Sequence, residues 1–158
     1  MTEVSTRTGL HRLLYYSAFS PRFPRAVDDQ DVEVGDIIRA SIRNNRQVAI
    51  TGLLLVHQKW FVQALEGPAE AVMTTYNRIL SDPRHQDAAV IVAGPAPGRQ
   101  FSNWNMCARR LSTADDAIVQ TLELKGAFDP RKLTPVKALT LLVAVKNIQH
   151  RTLSASLN

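Results

Sequence analysis

Two apolar runs separated by a pair of polar residues constrain this chain more than any other feature. Residues 49–57 are nearly continuous in apolar side chains, Gln58-Lys59 interrupts, and Trp60 to Glu66 resumes. A two-residue connection between strand-like runs marks an antiparallel hairpin. Other elements gather around it. His11 to Ser17 reads as a strand, ended by the proline-containing break after Phe19. A helix is predicted from about Val34 to Asn45, with Ile37, Ile38, Ser41, Ile42 and Asn45 on one side and a cap from Asp31 or its neighbours. Gly67-Pro68 opens a second helix that ends near Ser81, with Val72, Thr75, Tyr76, Ile79 and Leu80 as its buried stripe. Asp82-Pro83 stops it. Ala88 to Ala93 and Phe101 to Arg109 read as the fourth and fifth strands, joined by a Gly/Pro loop over 94–98. The order βαββαββ predicts an α+β, ferredoxin-like sheet with two helices on one face.

Beyond Ser112 the pattern changes. Ala114 to Leu124 reads as helical. Thr134-Pro135 is a cap with Pro at the first helical position. The helix that follows, to about Gln149, is apolar on nearly all sides and needs cover on more than one flank. It is expected to lie on the free face of the sheet and to meet another chain, which implies a homo-oligomer. The chain thus divides into a loose tail (1–10), a sheet domain (11–111) and a two-helix extension (112–158).

At 158 residues and 17.6 kDa the chain suits one domain with a modest appendage. The net charge of +5 suggests nucleic acid, but the excess is spread along the chain. The clusters Arg39/Arg43/Arg46 and Arg109/Arg110 read as solvated faces. Direct nucleic-acid binding is not expected. Cys107 stands alone, which excludes a disulfide framework and a cysteine metal cluster. With no secretion signal, and no apolar run approaching a bilayer span, a cytoplasmic protein away from membranes is expected.

One polar residue sits where an apolar one belongs. Alternation puts Phe61, Gln63 and Leu65 on one face of the third strand. If the helices cover that face, Gln63 is a buried amide, and leaving one of its groups unpaired costs roughly 1–3 kcal/mol. Tyr15 shares a face with Leu13 and Ser17 on the first strand. Trp104 and Met106 share one on the fifth, and Asn44-Asn45 ends the first helix. Tyr, Gln, Asn and Trp converging beneath two helices suggest a small-molecule pocket, although each residue alone suits an ordinary core. Composition and spacing leave the occupant open.

The motifs RLLYYS (12–17), IRNN (42–45), ITGLL (50–54), FVQALEG (61–67), Arg78-Ile79, DPRH (82–85) and FSNWNM (101–106) together resemble the BLUF domain, the flavin-binding blue-light sensor. They run in order over residues 11–110, and the extension resembles that of short stand-alone members. The resemblance implies FAD as cofactor, with FMN as the alternative. It makes Tyr15 the photoactive tyrosine and Gln63 the switching glutamine. It places Asn45, with Asn44 beside it, at the flavin carbonyl edge. Ile37 and Ile79 would sandwich the ring, and Arg78, Arg84 and His85 would lie near its polar or ribityl side. Trp104 and Met106, with Ser17, would relay the signal. One departure is a longer stretch between Tyr15 and Asn45, with the surplus expected in the loop from Phe19 to Asp31.

In such a domain the excited flavin takes an electron and a proton from tyrosine, and the glutamine amide reverses its hydrogen bonds. The output would be a small packing change passed to a separate effector, of response-regulator or cyclic-nucleotide-signalling type. Other readings are a flavin carrier without signalling, an acylphosphatase-like enzyme, and an RNA-binding sheet. The loop from Ala18 to Pro24 lacks the glycine-rich anion cradle that the enzyme would need. The C-terminal helices would cover the face that RNA would need.

Overall fold

The computed structural model describes residues 9–111 and 128–157. Its elements in chain order are β1 (Leu10–Phe19), α1 (Val27–Gln47), β2 (Thr51–His57), β3 (Trp60–Pro68), α2 (Ala69–Leu80), β4 (His85–Pro95), β5 (Ala108–Arg110) and α3 (Pro135–Leu157). A short 3-10 turn, Pro130–Lys132, precedes α3. The sheet order is β4-β1-β3-β2-β5. The first four strands pair antiparallel, and β5 joins β2 in parallel. This is the ferredoxin-like arrangement that the element order predicts.

The hairpin forms as expected, with His57 paired to Trp60 and Gln58 at φ 54 in the two-residue turn. It supplies two central strands whose side chains are almost all buried. One face packs Leu13, Tyr15, Phe61 and Leu65 against Ile37 of α1 and Val72 and Tyr76 of α2. The other packs Leu14, Leu53, Leu55 and Val62 against Ala138, Leu141, Leu142 and Val145 of α3. The last helix therefore covers the second face. Its start is fixed by Thr134, whose Oγ1 accepts from Lys137 N at 3.2 Å. The predicted helix over 114–124 lies outside the described residues.

Several boundaries differ from the sequence reading: β1 and α1 run on to Phe19 and Gln47, Gly67-Pro68 ends β3 rather than opening α2, which begins at Ala69, and α3 continues to Leu157. α1 begins at Val27, seven residues before Val34, because the acidic residues Asp28 and Asp29 form its first turn. The residue before it is Ala26, whose side chain cannot cap, so Asp31 is inside the helix. The long β1–α1 connection is packed down rather than loose. Phe23 is buried against Phe19 and Phe61, with ring centroids 4.4 and 5.2 Å apart. β4 is also longer at both ends than 88–93.

The fifth strand is the main correction. Only Ala108–Arg110 pair with β2, whereas Phe101 to Cys107 is irregular. This run lies along the edge of β2, bonded at intervals: Gly52 N donates to Trp104 O at 3.1 Å, and Leu54 N to Cys107 O at 2.7 Å. Gly52 is required chiefly by the β3 backbone beside it, with the Met106 side chain a lesser constraint. A Cβ there would lie 2.1 Å from Ala64 O and 3.0 Å from the Met106 methyl.

Leu141→Ala, at the fully buried centre of α3, is expected to lower the unfolding free energy by about 2–5 kcal/mol in urea titration. Val136→Ala, at a position 76% exposed on the same helix, is expected to change it by less than about 0.5 kcal/mol.

Candidate functional site

The two helices on the β1/β3 face stand apart enough to leave a cavity of about 700 Å³, its open mouth included. Its floor is Tyr15 of β1, Gln63 and Leu65 of β3, Leu54 of β2, and Met106. Its walls are Ile37, Ala40, Ser41, Asn44 and Asn45 of α1, and Thr75, Arg78 and Ile79 of α2. Asp82, Arg84 and His85 close one side. Nearly every residue expected at the site therefore lines one cavity. Trp104 and Ser17 lie outside this lining.

Tyr15 and Gln63 are register partners on adjacent strands. The Tyr15 hydroxyl donates to Gln63 Oε1, and Gln63 Nε2 donates to Met106 Sδ at 3.2 Å. Both side chains are buried. Burial raises the Tyr15 pKa far above that of an ordinary phenol, with smaller contributions from Tyr76 and Asp82. Tyr15 is therefore a neutral donor at any physiological pH. The Tyr76 ring stands 5.2 Å away, centroid to centroid, tilted 57°.

Asn45 sits near the C-terminus of α1 and its Nδ2 donates to Asn105 O at 2.8 Å. Asn105 Nδ2 in turn donates to Ile50 O at 3.1 Å. Asn45 Oδ1 has no partner among the described residues and is free to accept from an occupant. Asn105 was not legible in the sequence, because it contributes through a carbonyl in an irregular run. Asp82 was missed too, since Asp before Pro reads as a helix stop. It chelates Arg84 through both oxygens, with the shortest contact 2.6 Å, and Arg84 reaches Glu33 at 3.3 Å. Burial works to raise the Asp82 pKa, but the hydrogen bonds and charge of Arg84 prevail and hold it below the usual carboxylate value.

His85 opens β4, and its Nδ1 lies 2.8 Å from Ser17 Oγ. Burial is the chief cause that lowers its pKa to about 4, with Arg84 acting the same way and Asp82 against it. His85 is thus neutral at neutral pH.

The residues present fit a flavin. A flat ring system needs two apolar walls and an edge of donors and acceptors. Ile37 and Ile79 supply walls from opposite helices, Asn45 supplies an amide from the α1 wall, and Gln63 supplies one at the floor. A family model described as sensors of blue-light using FAD matches residues 10–107. The chain belongs to the BLUF family.

BLUF domains bind flavin and sense light. Among relatives, the blue light- and temperature-regulated antirepressor BluF of Escherichia coli K12 is 35% identical over 102 residues, covering 63% of this chain and 25% of that protein. The photoactivated adenylate cyclase subunit alpha of Euglena gracilis is 31% identical over 99 residues, covering 63% of this chain but 9% of the subunit. The chain thus spans a small part of these relatives. The dark-state structure of BlrB, a BLUF protein, is 28% identical with a TM-score of 0.67, covering 88% of this chain and 98% of that one. In photo-activated BlsA, 22% identical with a TM-score of 0.74 and covering 84% and 91%, the likeness is one of fold.

Two further findings bear on what this BLUF domain can transmit. Arg109 and Arg110 are not a solvated face. Arg109 Nη1 donates to Gln149 Oε1 on α3 at 3.1 Å. Arg110 donates to Gln30 Oε1 at 2.6 Å and to Asp31 Oδ1 at 3.0 Å, both on α1. Adjacent residues of β5 thereby grip the layers on opposite faces of the sheet. Among the described residues, no helix is long and apolar enough to cross a membrane, and no cluster could hold a metal ion.

His85 predicts a pH dependence of the flavin-free protein. Its folded pKa is about 4, against 6.5 for the free side chain, so the unfolded chain takes up the proton first. Stability is therefore expected to fall as pH drops from about 6.5 towards 4, a window above the Asp82 titration. Urea midpoints across that range should fall more steeply for the wild type than for His85→Gln.

Proposed function

We propose that light acts on this protein by reversing the Gln63 amide between Tyr15 and Met106. The observation that carries this reading is the continuous chain from the Tyr15 hydroxyl to Gln63 Oε1, and from Gln63 Nε2 to Met106 Sδ. A bound flavin supplies a light-driven oxidant beside the phenol. Asn45 and Asn44 would hold the ring edge, and Ile37 and Ile79 would hold its faces. Arg78 borders the cavity and two neighbouring grooves that share residues with it, so it would meet a phosphate chain of either FAD or FMN.

Tyr15 is buried and neutral, so loss of an electron makes its hydroxyl strongly acidic. The proton has an acceptor already in line at Gln63 Oε1. An amide carries a donor at one end and an acceptor at the other. Turned over, or tautomerised, Gln63 presents a donor where its oxygen stood and loses its N–H contact with Met106. Turned over, the amide keeps a bond to the Tyr15 oxygen through its NH2, but its oxygen then faces a thioether that cannot donate, so the starting arrangement is the better satisfied of the two. The cavity is closed below by sheet and core, which keeps bulk water from competing for these bonds.

Met106 passes the difference onward. It lies two residues before β5, whose arginines hold α1 and α3. Trp104 contributes its carbonyl to Gly52 and lies outside the cavity lining, so Met106 is the relay and Trp104 a support. Ser17 acts through His85 at the cavity wall. The recipient is a separate protein, of response-regulator or cyclic-nucleotide-signalling type, or a second copy of this chain at α3. The photoactivated cyclases and the antirepressor among the relatives support a signalling output.

The protein purified with flavin is expected to shift its visible absorption to the red under blue light and to recover in the dark. Tyr15→Phe and Gln63→Leu should each retain flavin and lose the shift. A shift that survives in both variants would exclude this switch. Arg109→Ala should keep the shift. Hydrogen exchange over 135–149 should differ between light and dark in the wild type, and the difference should shrink in Arg109→Ala.

A further inference from the structure

Glu66 stands three residues from Gln63 on β3 and is fully buried, on the face away from the cavity. A carboxylate in that position requires partners, and it has four contacts beyond its own strand. Arg12 Nε donates to Oε2 at 2.7 Å, Gln100 N to both oxygens at 3.0 Å, and Phe101 N to Oε1 at 2.8 Å. Arg12 also donates to Gly98 O at 2.8 Å. The neighbouring Arg99 donates to Glu66 O at 3.0 Å, Thr51 Oγ1 at 2.7 Å and Ala49 O at 2.8 Å.

These bonds fasten the start of the irregular run that carries Met106. The run has no ladder of its own before Ala108. Its course is set by the clamp at 98–101 and by the bonds from Gly52 and Leu54 further along. Phe101, next to the clamp, is buried in the core beneath α3. One strand thus holds both ends of the relay: Gln63 meets the Met106 sulfur, and Glu66 anchors the backbone that carries it.

We infer that Glu66 is a positioning residue, whose carboxylate fixes the 98–101 backbone and so sets Met106 Sδ against Gln63 Nε2. The inference rests on the switch proposed above. Its chemistry calls for an acceptor at both oxygens. In Glu66→Gln the new NH2 must face either Arg12 or the two backbone N–H groups, donor against donor. The backbone then has freedom to move, and the contact at Gln63 loosens without any change in the cavity walls.

The test is a double-mutant cycle on the full chain loaded with FAD, read as the dark-recovery rate after blue light. Glu66→Gln is expected to retain flavin and the red shift but change recovery by about tenfold. In a Met106→Ala background the same substitution should change it by less than about twofold, since the group it positions is gone. Arg12→Gln gives up the bond to Gly98 O but leaves the bonds from Gln100 N and Phe101 N in place, and should stay within about twofold of wild type, which separates positioning by those two amides from general stability. Equal effects of Glu66→Gln in both backgrounds, or wild-type recovery in a variant with a lowered melting temperature, would overturn the inference. Should Glu66→Gln fail to fold, exchange of the Gln100 and Phe101 amides in the wild type decides. They should stay protected in light and dark, and opening under light would overturn it. A wild type with no red shift would instead remove the photoreceptor reading, and this inference with it.

Discussion

A phenol and a carboxamide facing each other across two central strands set the terms for everything around them. Tyr15 and Gln63 are cross-strand neighbours, both buried, joined by one hydrogen bond. Neither can be left unpaired in a dry core without costing roughly 1–3 kcal/mol. The amide therefore needs a second partner, and the fold provides a sulfur. That demand explains why an irregular segment is held along the β2 edge, where Met106 reaches the amide. Because the pair sits on strands rather than loops, its geometry is held by the ladder itself.

The same segment connects the cavity to both outer layers. Within five residues it passes from Met106 to Arg109 and Arg110, which bond to α3 and α1 respectively. β5 pairs on one side only and is three residues long. A short edge strand costs little to displace, whereas β1 and β3 are locked between neighbours. A change at the Gln63 amide thus meets a rigid floor and a compliant edge, and the compliant edge is where the helices are attached.

How much of this was legible in the sequence depended on regularity. Tyr15, Gln63, Asn45, Ile37 and Ile79 sit on strands and helices whose periods fix which way they face, and all five line the cavity. Period two put Gln63 on the helix-covered face, and the structure finds it there. The fifth strand failed because Phe, Trp and Met suit a strand as well as a buried irregular run. Phe101 to Cys107 is held by side-chain to backbone bonds whose partners are distant in sequence: Glu66 accepts from Gln100 and Phe101 N, Asn45 donates to Asn105 O, and the Asn105 side chain donates to Ile50 O. No local pattern encodes them. Arg109 and Arg110 were misread for a related reason, since their partners lie on helices 40 and about 80 residues away. The early start of α1 was hidden because its first turn is acidic and exposed, and shows no apolar stripe.

The claim at the centre is that one side-chain amide changes its hydrogen bonds when the protein absorbs light. Infrared difference spectroscopy of flavin-loaded protein with 13C-labelled glutamine side chains reads that amide directly. The account expects a light-minus-dark change in the labelled side-chain carbonyl band, absent in Gln63→Leu and reversed on dark recovery. A visible red shift accompanied by no change in any glutamine carbonyl band would contradict it.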